Sequence, residues 1–474
     1  MDIRAVRQKL DKHGQSHLLR YYDELSDSKR TVLLEQIASI DFDKMDELIA
    51  RYVLEKPVVR PMGQISPPPI VSARSTDAAA QAELKAARRR GEQLISEGKV
   101  AAFVVAGGQG TRLGYEGPKG CLEVTAVAKK SLFQVFAEQI LAASHRHRVT
   151  IPWYIMTSQA NDVATRAFFR QNQFFGLNAK DVFFFPQGMM PAIGLDGKLL
   201  LSDKGSMAMS PDGHGGCLAA MRRSGALEDM AKRGVELISY FQVDNPLVHC
   251  IDPLFLGLHD LRKAQMSAKA LPKRDPMERL GNFCVVDGKV TVIEYSDMPE
   301  ELARATTESG RLKFSSGSIA IHILSRAFVE KLTAADGKLS LPFHRADKAV
   351  ACVDESGNVV KPAKPNAVKL EMFVFDAMPL AEATAILETD RAEEFSPVKN
   401  ATGEDSLASS LHDQVRRAAA WLEAAGVKIP RDADGHVAAA IEISPLLADS
   451  AAALIGKVDP KKTVISGGQS LYLG

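Results

Sequence analysis

From residue 99 to about residue 385, apolar segments typical of buried strands alternate with amphipathic helices. The apolar segments are nearly continuous, as in strands covered on both faces, whereas a half-exposed strand alternates apolar with polar residues. The pattern therefore predicts an α/β fold with a doubly wound, mixed but mainly parallel sheet. The clearest strand segments are VAAFVVAGG, IPWYIMTS, DVFFFPQG, VELISYFQVDN and KVTVIEYSD, which begin at residues 100, 151, 181, 235 and 289.

The two ends of the chain lack this alternation. Apolar residues at helical spacing predict helices up to about residue 55, and five prolines between residues 57 and 69 predict an extended connector. A further helix is expected from about residue 77 to 98. A length of 474 residues fits two or three domains. We expect a helical N-terminal domain with a proline-rich connector over 1–98, an α/β domain over 99–385 and a small C-terminal domain over 386–474.

The composition excludes several classes of protein. Lys and Arg total 59 against 58 Asp and Glu, so the basic excess that a broad nucleic-acid interface needs is absent. Five cysteines without a CxxC pair favour a reducing compartment. No apolar run approaches the ~18 residues of a membrane span, and the first residues do not resemble a secretory signal. We expect a cytoplasmic protein that binds neither nucleic acid nor membrane.

The strongest sequence motif is a glycine-rich loop that directly follows the first strand. Residues 104–114 read VVAGGQGTRLG, and residues 117–120 read GPKG. Ligands bind at the carboxyl ends of strands in an open parallel sheet, and glycines without a Cβ let backbone N–H groups approach an anion closely. Arg112 and Lys119 add two cations, so the loop suits a polyphosphate. The alternative is a tight turn with solvated charges.

Two common phosphate-binding motifs do not fit this loop. A Walker A loop requires GxxxxGK followed by Ser or Thr, whereas Lys119 follows a proline and precedes a glycine. The dinucleotide-binding motif GxGxxG also fails, because Gly114 comes one residue late when counting starts at Gly108. A nicotinamide-dependent oxidoreductase is therefore disfavoured.

Further polar residues follow other strands. Asp244 ends the strand that begins at residue 235, where a carboxylate can hold Mg²⁺ or cap the next helix. Gln187 follows the strand that begins at residue 181, and its amide can donate and accept hydrogen bonds to a ligand or within an ordinary loop. Glu294 ends another strand, where its carboxylate can accept hydrogen bonds from a ligand or form a turn. Lys399 on its own is typical of a solvated surface charge.

Taken together, several ordered motifs resemble the UTP–sugar-1-phosphate uridylyltransferases, and among them the eukaryotic-type UDP-N-acetylglucosamine pyrophosphorylases. The resemblance spans most of the chain. The motifs that carry it are residues 107–114 (GGQGTRLG), 118–120 (PKG), 151–158 (IPWYIMTS), 187–192 (QGMMPA), 243–245 (VDN), 293–296 (IEYS), 394–400 (EFSPVKN) and 442–446 (EISPL).

The resemblance implies a Rossmann-like nucleotidyltransferase core that forms a UDP-sugar and pyrophosphate from UTP and a sugar 1-phosphate, with Mg²⁺ as cofactor. It implies catalytic contacts to phosphate for Arg112, Lys119 and Lys399, and a metal contact for Asp244. The implied nucleotide contacts are Val105, Ala106, Gly107, Gly108, Gln187 and Gly213, and the implied sugar contacts are His214, Glu294, Tyr295 and Ser318.

In such a reaction the nucleophile is already an anionic phosphate, so no covalent enzyme intermediate is needed. Catalysis then rests on positioning and charge neutralisation. We expect Arg112 to neutralise the departing pyrophosphate and Lys399 to reach the phosphates from the C-terminal domain. A non-catalytic nucleotide-sugar binding protein is an alternative, and the joint presence of Arg112, Lys119, Asp244 and Lys399 argues against it.

Two positions depart from the N-acetylglucosamine enzymes that the chain resembles. Those enzymes usually carry asparagine where this chain has His214, and an Asn-Ala-Gly-Asn run where this chain has residues 315–318, SSGS. With histidine at the first position, this segment resembles that of the UDP-glucose pyrophosphorylases. We therefore expect relaxed or shifted sugar selectivity, with N-acetylglucosamine 1-phosphate favoured and glucose 1-phosphate as the alternative.

Overall fold

A computed structural model describes residues 2–55, 63–334 and 341–474. The chain forms two compact units, each built from several segments of the sequence. The first unit comprises Met1–Arg60, Gln187–Cys217 and Ser340–Asp376, and the second unit comprises Pro61–Pro186, Leu218–Leu339 and Ala377–Gly474. The predicted domain boundaries after residues 98 and 385 stay predictions. Residues 56–62 of the predicted connector lie outside the described residues.

Helices and strands alternate along most of the described chain. The α-helices are α1 (Ile3–Lys12), α2 (Asp27–Ala38), α3 (Phe42–Leu48), α4 (Ala78–Ser96), α5 (Leu132–His147), α6 (Asp162–Gln171), α7 (Cys217–Arg223), α8 (Ala226–Lys232), α9 (Pro253–Leu261), α10 (Glu300–Ala303), α11 (Arg326–Leu332), α12 (Arg391–Glu394), α13 (Leu407–Ala424) and α14 (Ala451–Leu454). A π-helical segment is Ile49–Leu54, and 3₁₀ turns are Ser16–Leu19, Tyr22–Glu24, Thr111–Leu113, Lys119–Cys121, Gln173–Gly176, Ala179–Asp181, His214–Gly216 and Val374–Leu380.

The strands of the described residues are two to ten residues long, and the longest lies in the central sheet. They are β1 (Ile65–Ser66), β2 (Val71–Ser72), β3 (Val100–Val105), β4 (Trp153–Thr157), β5 (Val182–Pro186), β6 (Met189–Pro191), β7 (Ile193–Gly194), β8 (Leu201–Asp203), β9 (Ser206–Met207), β10 (Met209–Pro211), β11 (Leu237–Gln242), β12 (Met266–Pro272), β13 (Gly281–Val286), β14 (Lys289–Ile293), β15 (Ser316–Ser325), β16 (Phe343–Lys348), β17 (Cys352–Val353), β18 (Val359–Val360), β19 (Ala367–Met372), β20 (Thr384–Glu388), β21 (Ala440–Ile443) and β22 (Ser470–Leu473).

The central sheet of the second unit is mixed and mainly parallel, which confirms the predicted fold class. Its main path runs β2-β20-β12-β15-β11-β3-β4-β5. Strands β11, β3, β4 and β5 pair in parallel, and they are the four predicted strands that begin at residues 235, 100, 151 and 181. β15 is antiparallel to both of its neighbours on this path. The fifth predicted strand, β14, instead forms an antiparallel hairpin with β13.

Helix α5 begins with a side-chain cap. The Ser131 hydroxyl accepts a hydrogen bond from the Gln134 backbone N–H at 3.2 Å. The Gln134 side chain does not return to the cap, because its amide donates to Glu138 at 3.0 Å. The reciprocal bond that would complete a capping box is therefore not made. The two consecutive helices α7 and α8 are separated at Gly225, which has a φ of 78°.

Large aromatic side chains attach helices α5 and α6 to the central sheet. Phe169 of α6 packs edge-on against Phe133 of α5 with 5.0 Å between ring centroids, and it lies 5.4 Å from Trp153 of β4. All three side chains are fully buried. Burial of this apolar area is the dominant stabilising contribution in such a core.

Helices α4 and α9 pack with their backbones almost in contact. A Cβ added to Gly257 of α9 would lie 1.7 Å from the Ala87 carbonyl oxygen of α4. A Cβ added to Gly91 of α4 would lie 1.8 Å from the Pro253 carbonyl oxygen of α9. Glycine is therefore required at both positions by close approach of backbone to backbone.

The first unit has its own hydrophobic core. Helices α1 to α3 and the π-helical segment bury apolar residues against the sheet β16-β19-β7 and the short strands β8 and β9. Ile193, Leu199, Val368 and Leu370 contribute the strand side of this core. The predicted N-terminal helices are confirmed, and their partners come from two segments far along the chain.

The last part of the second unit forms a separate apolar cluster. Trp421 and Leu422 of α13 pack with Ile441 of β21, Leu454 of α14 and Ile465. Strands β21 and β22 pair in parallel. A membrane-crossing helix is absent from the described residues, since none of their helices combines the required length with sufficient apolar character.

Substitution Gly257→Ala should destabilise the protein. The added methyl group meets backbone atoms that cannot move independently, so we expect a loss of at least about 2 kcal/mol in the free energy of unfolding. Thermal or urea unfolding monitored by circular dichroism measures the change. Gly467→Ala is the matched control, because its Cβ would meet no atom within 4 Å; equal stability of the two variants would contradict the close approach.

Candidate active site

The glycine-rich loop begins directly after β3 and folds back on itself. Gly110 donates from its N–H to the Gly117 carbonyl at 2.9 Å, and Lys119 donates from its N–H to the Gly108 carbonyl at 3.1 Å. Gly114 ends the 3₁₀ turn Thr111–Leu113 with a φ of 71°, which glycine adopts without strain. These hydrogen bonds make residues 108–119 a closed loop at the carboxyl end of a buried strand.

The loop carries two cations without a carboxylate partner among the described residues, and a glycine with free space around its Cα. Arg112 is exposed and Lys119 is half-buried, and neither side chain pairs with a carboxylate in the part of the chain that the structure describes. A Cβ added to Gly108 would meet nothing within 4 Å. Packing within the protein therefore does not explain the glycine at 108, whereas close approach of a ligand to the backbone would.

Asp244 lies at the same edge of the sheet as this loop. Strand β11 runs parallel to β3 with Gln242 opposite Val105, and the Val243 N–H donates to the Val105 carbonyl at 3.1 Å. Asp244 is the next residue, so it stands beside Ala106 where the loop begins. Its carboxylate accepts no hydrogen bond from any described residue.

The backbone of Asp244 also holds the segment that carries Lys399. The Val398 N–H donates to the Asp244 carbonyl at 2.8 Å. The neighbouring Asn245 donates from its side-chain amide to the Glu394 carbonyl at 2.7 Å and accepts from the Ser396 N–H at 3.1 Å. Residues 394–398 are thus joined to the end of β11, which brings Lys399, 155 positions along the chain from Asp244, to the same part of the second unit.

Lys399 lies on a short closed loop with Asp405. The Asp405 carbonyl accepts hydrogen bonds from the Lys399 N–H at 2.6 Å and the Asn400 N–H at 2.9 Å. Burial raises the pKa of the Asp405 carboxyl, and Asp244 adds to this rise while Lys399 opposes it. The three charged groups are therefore close enough to influence one another. The Lys399 ammonium itself lies 5.5 Å from the centre of the Phe395 ring.

Glu294 and Ser318 come together around Gly281. Gly281 of β13 pairs with Ser318 of β15 across an antiparallel ladder. A Cβ at Gly281 would lie 3.2 Å from Glu294 Oε1 and 3.8 Å from the Ser318 Cβ. Tyr295, the residue after Glu294, is 47% exposed. The structure thus gathers three of the four predicted sugar contacts in the second unit.

Gln187, Gly213 and His214 belong to the first unit. Gln187 is buried at 8% exposure. Gly213 has a φ of 86°, and a Cβ there would lie 2.4 Å from the Met372 carbonyl oxygen, so a side chain is excluded at this position. The Met372 N–H in turn donates to the Asp212 carbonyl at 2.8 Å, which fixes the backbone around Gly213.

The His214 ring is held in a stack of aromatic side chains. It lies parallel to Phe373, with 5.1 Å between ring centroids and 8° between planes, and His344 also stacks on Phe373, at 4.2 Å. The Val374 N–H donates to His214 Nδ1 at 3.2 Å. Burial and the nearby His344 lower the pKa of His214 to about 4. His214 is therefore neutral at pH 7, and its remaining proton is on Nε2, as a hydrogen-bond donor.

A cluster of metal-ligand type residues lies elsewhere in the second unit. His249, Asp252 and Glu394 each place a ligand atom within 4.8 Å of the others. The Lys269 ammonium pairs with Asp252 at 2.7 Å and with Glu394. Although burial opposes it, Lys269 lowers the pKa of Asp252 to about 2. A protein cation thus already balances these carboxylates, so Asp244 remains the better candidate for a metal.

One supporting residue escaped the sequence analysis. Asn161 is fully buried, and its amide donates to the carbonyls of Ala106 at 3.0 Å and Gly108 at 3.3 Å. Its carbonyl oxygen accepts from the Ser158 N–H at 2.8 Å. Asn161 directly precedes α6, a position where asparagine ordinarily caps the helix. The side chain instead braces the glycine-rich loop.

Comparison with known proteins agrees with this geometry. The sequence profile of the family described as UTP–glucose-1-phosphate uridylyltransferase matches residues 44–419. The chain belongs to this family. It is a nucleotidyltransferase, a uridylyltransferase that acts on UTP and a sugar 1-phosphate.

Three similar proteins illustrate how far the likeness extends. The human UDP-N-acetylhexosamine pyrophosphorylase-like protein 1 is 39% identical, over 94% of this chain and 92% of its own length. UDP-N-acetylglucosamine diphosphorylase 2 of Arabidopsis thaliana is 34% identical, over 93% of this chain and 89% of its own. The crystal structure of the UDP-N-acetylglucosamine pyrophosphorylase from Trypanosoma brucei, with an inhibitor, covers 100% of this chain and 98% of its own, at 26% identity and a TM-score of 0.82.

Substitution Asn161→Ala should slow the enzyme while leaving it folded. Loss of the amide removes two hydrogen bonds that orient the glycine-rich loop, so we expect kcat/KM for UTP to fall by on the order of 10-fold or more. Steady-state kinetics measure this change. Asn172→Ala is the control, because that exposed amide bonds only the Phe168 carbonyl of its own helix. Equal kinetics for both variants would exclude a bracing role.

Proposed function

We propose that this uridylyltransferase forms UDP-N-acetylglucosamine and pyrophosphate from UTP and N-acetylglucosamine 1-phosphate. The observation that supports this sugar is similarity over 93% of this chain to two relatives whose names state it. We further propose the roles below for the predicted site residues.

In the reaction, an oxygen of the sugar phosphate attacks the α-phosphorus of UTP, and the bond from that phosphorus to pyrophosphate breaks. The attacking oxygen is already anionic, so no base has to remove a proton. Arg112 and Lys119 supply positive charge from a loop whose backbone is fixed in advance. Lys399, held by the Val398 link to Asp244, adds a third cation. Preorganised charge of this kind stabilises the charge that develops on the leaving group.

Asp244 is our proposed ligand for Mg²⁺. Its carboxylate is a hard oxygen donor without a hydrogen-bond partner among the described residues, and it stands beside the polyphosphate loop, so the site fits the ion. Asp244 would hold Mg²⁺ there, and the ion would neutralise charge on the phosphate oxygens. The same residue fixes the 398–399 segment through its backbone carbonyl, so one residue would position both the metal and Lys399.

The nucleoside and the sugar take different residues. The backbone of Val105, Ala106, Gly107 and Gly108 would receive the nucleotide, with the Gln187 amide and the Gly213 backbone as contacts to the base. Glu294, Tyr295 and Ser318 would accept or donate hydrogen bonds to sugar hydroxyls. His214 would offer its Nε2–H from a rigid stack.

Glucose 1-phosphate is the second candidate substrate. His214 and Ser318 replace two asparagines, and a serine hydroxyl is shorter than an amide, so its contact to an N-acetyl group weakens or passes through water. A site that lacks hydrogen bonds to a substrate group discriminates weakly against analogues without that group. The direct test is pyrophosphate release with UTP and a panel of sugar 1-phosphates.

Activity should depend on a divalent cation through Asp244. We expect pyrophosphate release to stop with excess chelator and return with Mg²⁺. Asp244→Asn should lower turnover by on the order of 100-fold or more while the circular dichroism spectrum is unchanged. Asp434→Asn, at an exposed turn, is the control. Full activity of the enzyme in excess chelator would refute the metal role.

Selectivity between the two sugar 1-phosphates should be modest and should depend on His214 and Ser318. We expect kcat/KM for N-acetylglucosamine 1-phosphate to exceed that for glucose 1-phosphate by only about tenfold, and the variant His214→Asn/Ser318→Asn to widen this ratio. Side-by-side specificity constants measure both quantities. His344→Asn controls for loss of a ring from the stack. A strong wild-type preference for glucose 1-phosphate that the double variant reverses would overturn our choice of sugar.

A further inference from the structure

The connection between β12 and β13 lies between the proposed sugar contacts and the segment of Lys399. We call this connection, residues 273–280, the bridging loop. Strand β15 pairs with both strands, because Ser318 lies opposite Ala270 of β12 and also opposite Gly281 of β13. The bridging loop therefore crosses the start of β15, and both of its ends are fixed by that strand.

Lys273 attaches the bridging loop to the strands that carry the proposed sugar contacts. It is buried at 8% exposure, its N–H donates to the Ser315 carbonyl at 2.7 Å, and its ammonium donates to Asn282 Oδ1 at 2.9 Å. The Asn282 amide in turn donates to the Ile293 carbonyl at 3.3 Å. Ile293 directly precedes Glu294, so the position of this proposed sugar contact is tied to the bridging loop.

Glu278 attaches the other part of the bridging loop to helix α12. Its Oε2 accepts from the Arg274 N–H at 2.8 Å, and its Oε1 pairs with the Arg391 guanidinium at 2.7 Å. The side chains of Glu278 and Arg391 are only 16% and 19% exposed. An ion pair that is shielded from water and hydrogen-bonded at both carboxylate oxygens holds its side chains in place, whereas an exposed pair contributes little.

The guanidinium that Glu278 holds lies over the same aromatic ring as the Lys399 ammonium. The Arg391 guanidinium carbon is 5.7 Å from the centre of the Phe395 ring, and Lys399 Nζ is 5.5 Å from the same centre. Phe395 is buried, which limits its movement. Two cations over one ring repel each other unless one of them is balanced. Glu278 balances Arg391, so the ring can still attract Lys399.

We propose that Glu278 is a positioning residue that couples binding of the sugar to the placement of Lys399. A sugar bound at the proposed contacts fixes the strand ends to which the bridging loop is attached. The loop then holds Glu278 against Arg391, and the balanced Arg391 and Phe395 keep the Lys399 ammonium where it meets phosphate. This role rests on the contacts proposed above for Lys399 and for the sugar.

The first test compares two ligands that differ only in the sugar. UDP reaches the phosphate contacts alone, whereas a UDP-sugar also occupies the sugar contacts. Calorimetry with the full-length protein measures both dissociation constants, with UDP-N-acetylglucosamine or UDP-glucose as the UDP-sugar, whichever binds wild type more tightly. We expect Glu278→Gln to weaken binding of the UDP-sugar by about tenfold and binding of UDP by less than twofold. Equal weakening of the two ligands would overturn the coupling.

The second test separates the placement of Lys399 from a general effect on the fold. If Glu278 acts through Lys399, Glu278→Gln should have no further effect on UDP-sugar binding or on kcat in the Lys399→Ala background. Glu404→Gln is the matched control and should behave like wild type, because Glu404 is 90% exposed and pairs with Arg274 of the same loop at 3.7 Å. Persistence of the tenfold effect in the Lys399→Ala background would refute the proposal.

Arg391→Lys provides a second route to the same answer if Glu278→Gln folds poorly. It keeps the charge pair, but a lysine ammonium lacks the planar fork that bonds a carboxylate and lies over a ring at the same time. We expect the UDP-sugar to bind about threefold more weakly, with UDP unchanged. Wild-type affinity for both ligands would contradict the role of the pair.

Failure of the proposed reaction would look different. Absence of pyrophosphate release by wild type with every sugar 1-phosphate would count against the uridylyl transfer proposed above. The comparison of UDP with the UDP-sugar needs no turnover, so it would still decide whether Glu278 couples the sugar to Lys399.

Discussion

The catalytic edge of the second unit depends on the buried ion pairs of the Lys269 ammonium. This lysine lies on β12 at 1% exposure and pairs with Asp252, the residue before α9, and with Glu394 of α12. Removal of one partner from such a pair leaves an uncompensated charge, at a typical cost of about 3–5 kcal/mol. The Glu394 carbonyl in turn accepts from Asn245. The placement of Asp244 beside the segment of Lys399 therefore follows from one cation in the core.

The parts of the fold that could be predicted are those with a purely local signal. Strands β3, β4, β5 and β11 are apolar throughout, so their sequence alone indicates burial on both faces. Strand β12 reads MSAKALP and contains Lys269. The burial of this lysine is explained only by the two carboxylates that pair with it, and these lie elsewhere in the sequence. Strand β15 contains Gly317 and His322 and lacks a continuous apolar run, so neither it nor its antiparallel insertion was predicted. The strands that pack against the N-terminal helices are far away in the sequence, and local periodicity does not indicate such partners.

The candidate site shows the same division. Arg112, Lys119 and Asp244 could be predicted, because the carboxyl ends of parallel strands share an edge and the motif follows a clear strand. Lys399 was identified through resemblance alone, since an isolated lysine has no local signal. Asn161 and Gly281 were missed because a single asparagine before a helix suggests a cap, and a glycine at a strand end suggests a turn. Their contributions lie in hydrogen bonds and close approaches between segments distant in sequence.

The segmented first unit has a consequence for how the protein is made. Helices α1 to α3 leave the ribosome well before the residues that cover their apolar faces, which are Ile193, Leu199, Val368 and Leu370. At about 5–20 residues per second, translation reaches the last of these roughly tens of seconds later. The N-terminal helices must spend that interval with their apolar faces uncovered. These helices are thus synthesised early but reach their native packing late, and meanwhile their apolar faces are open to aggregation or chaperone capture.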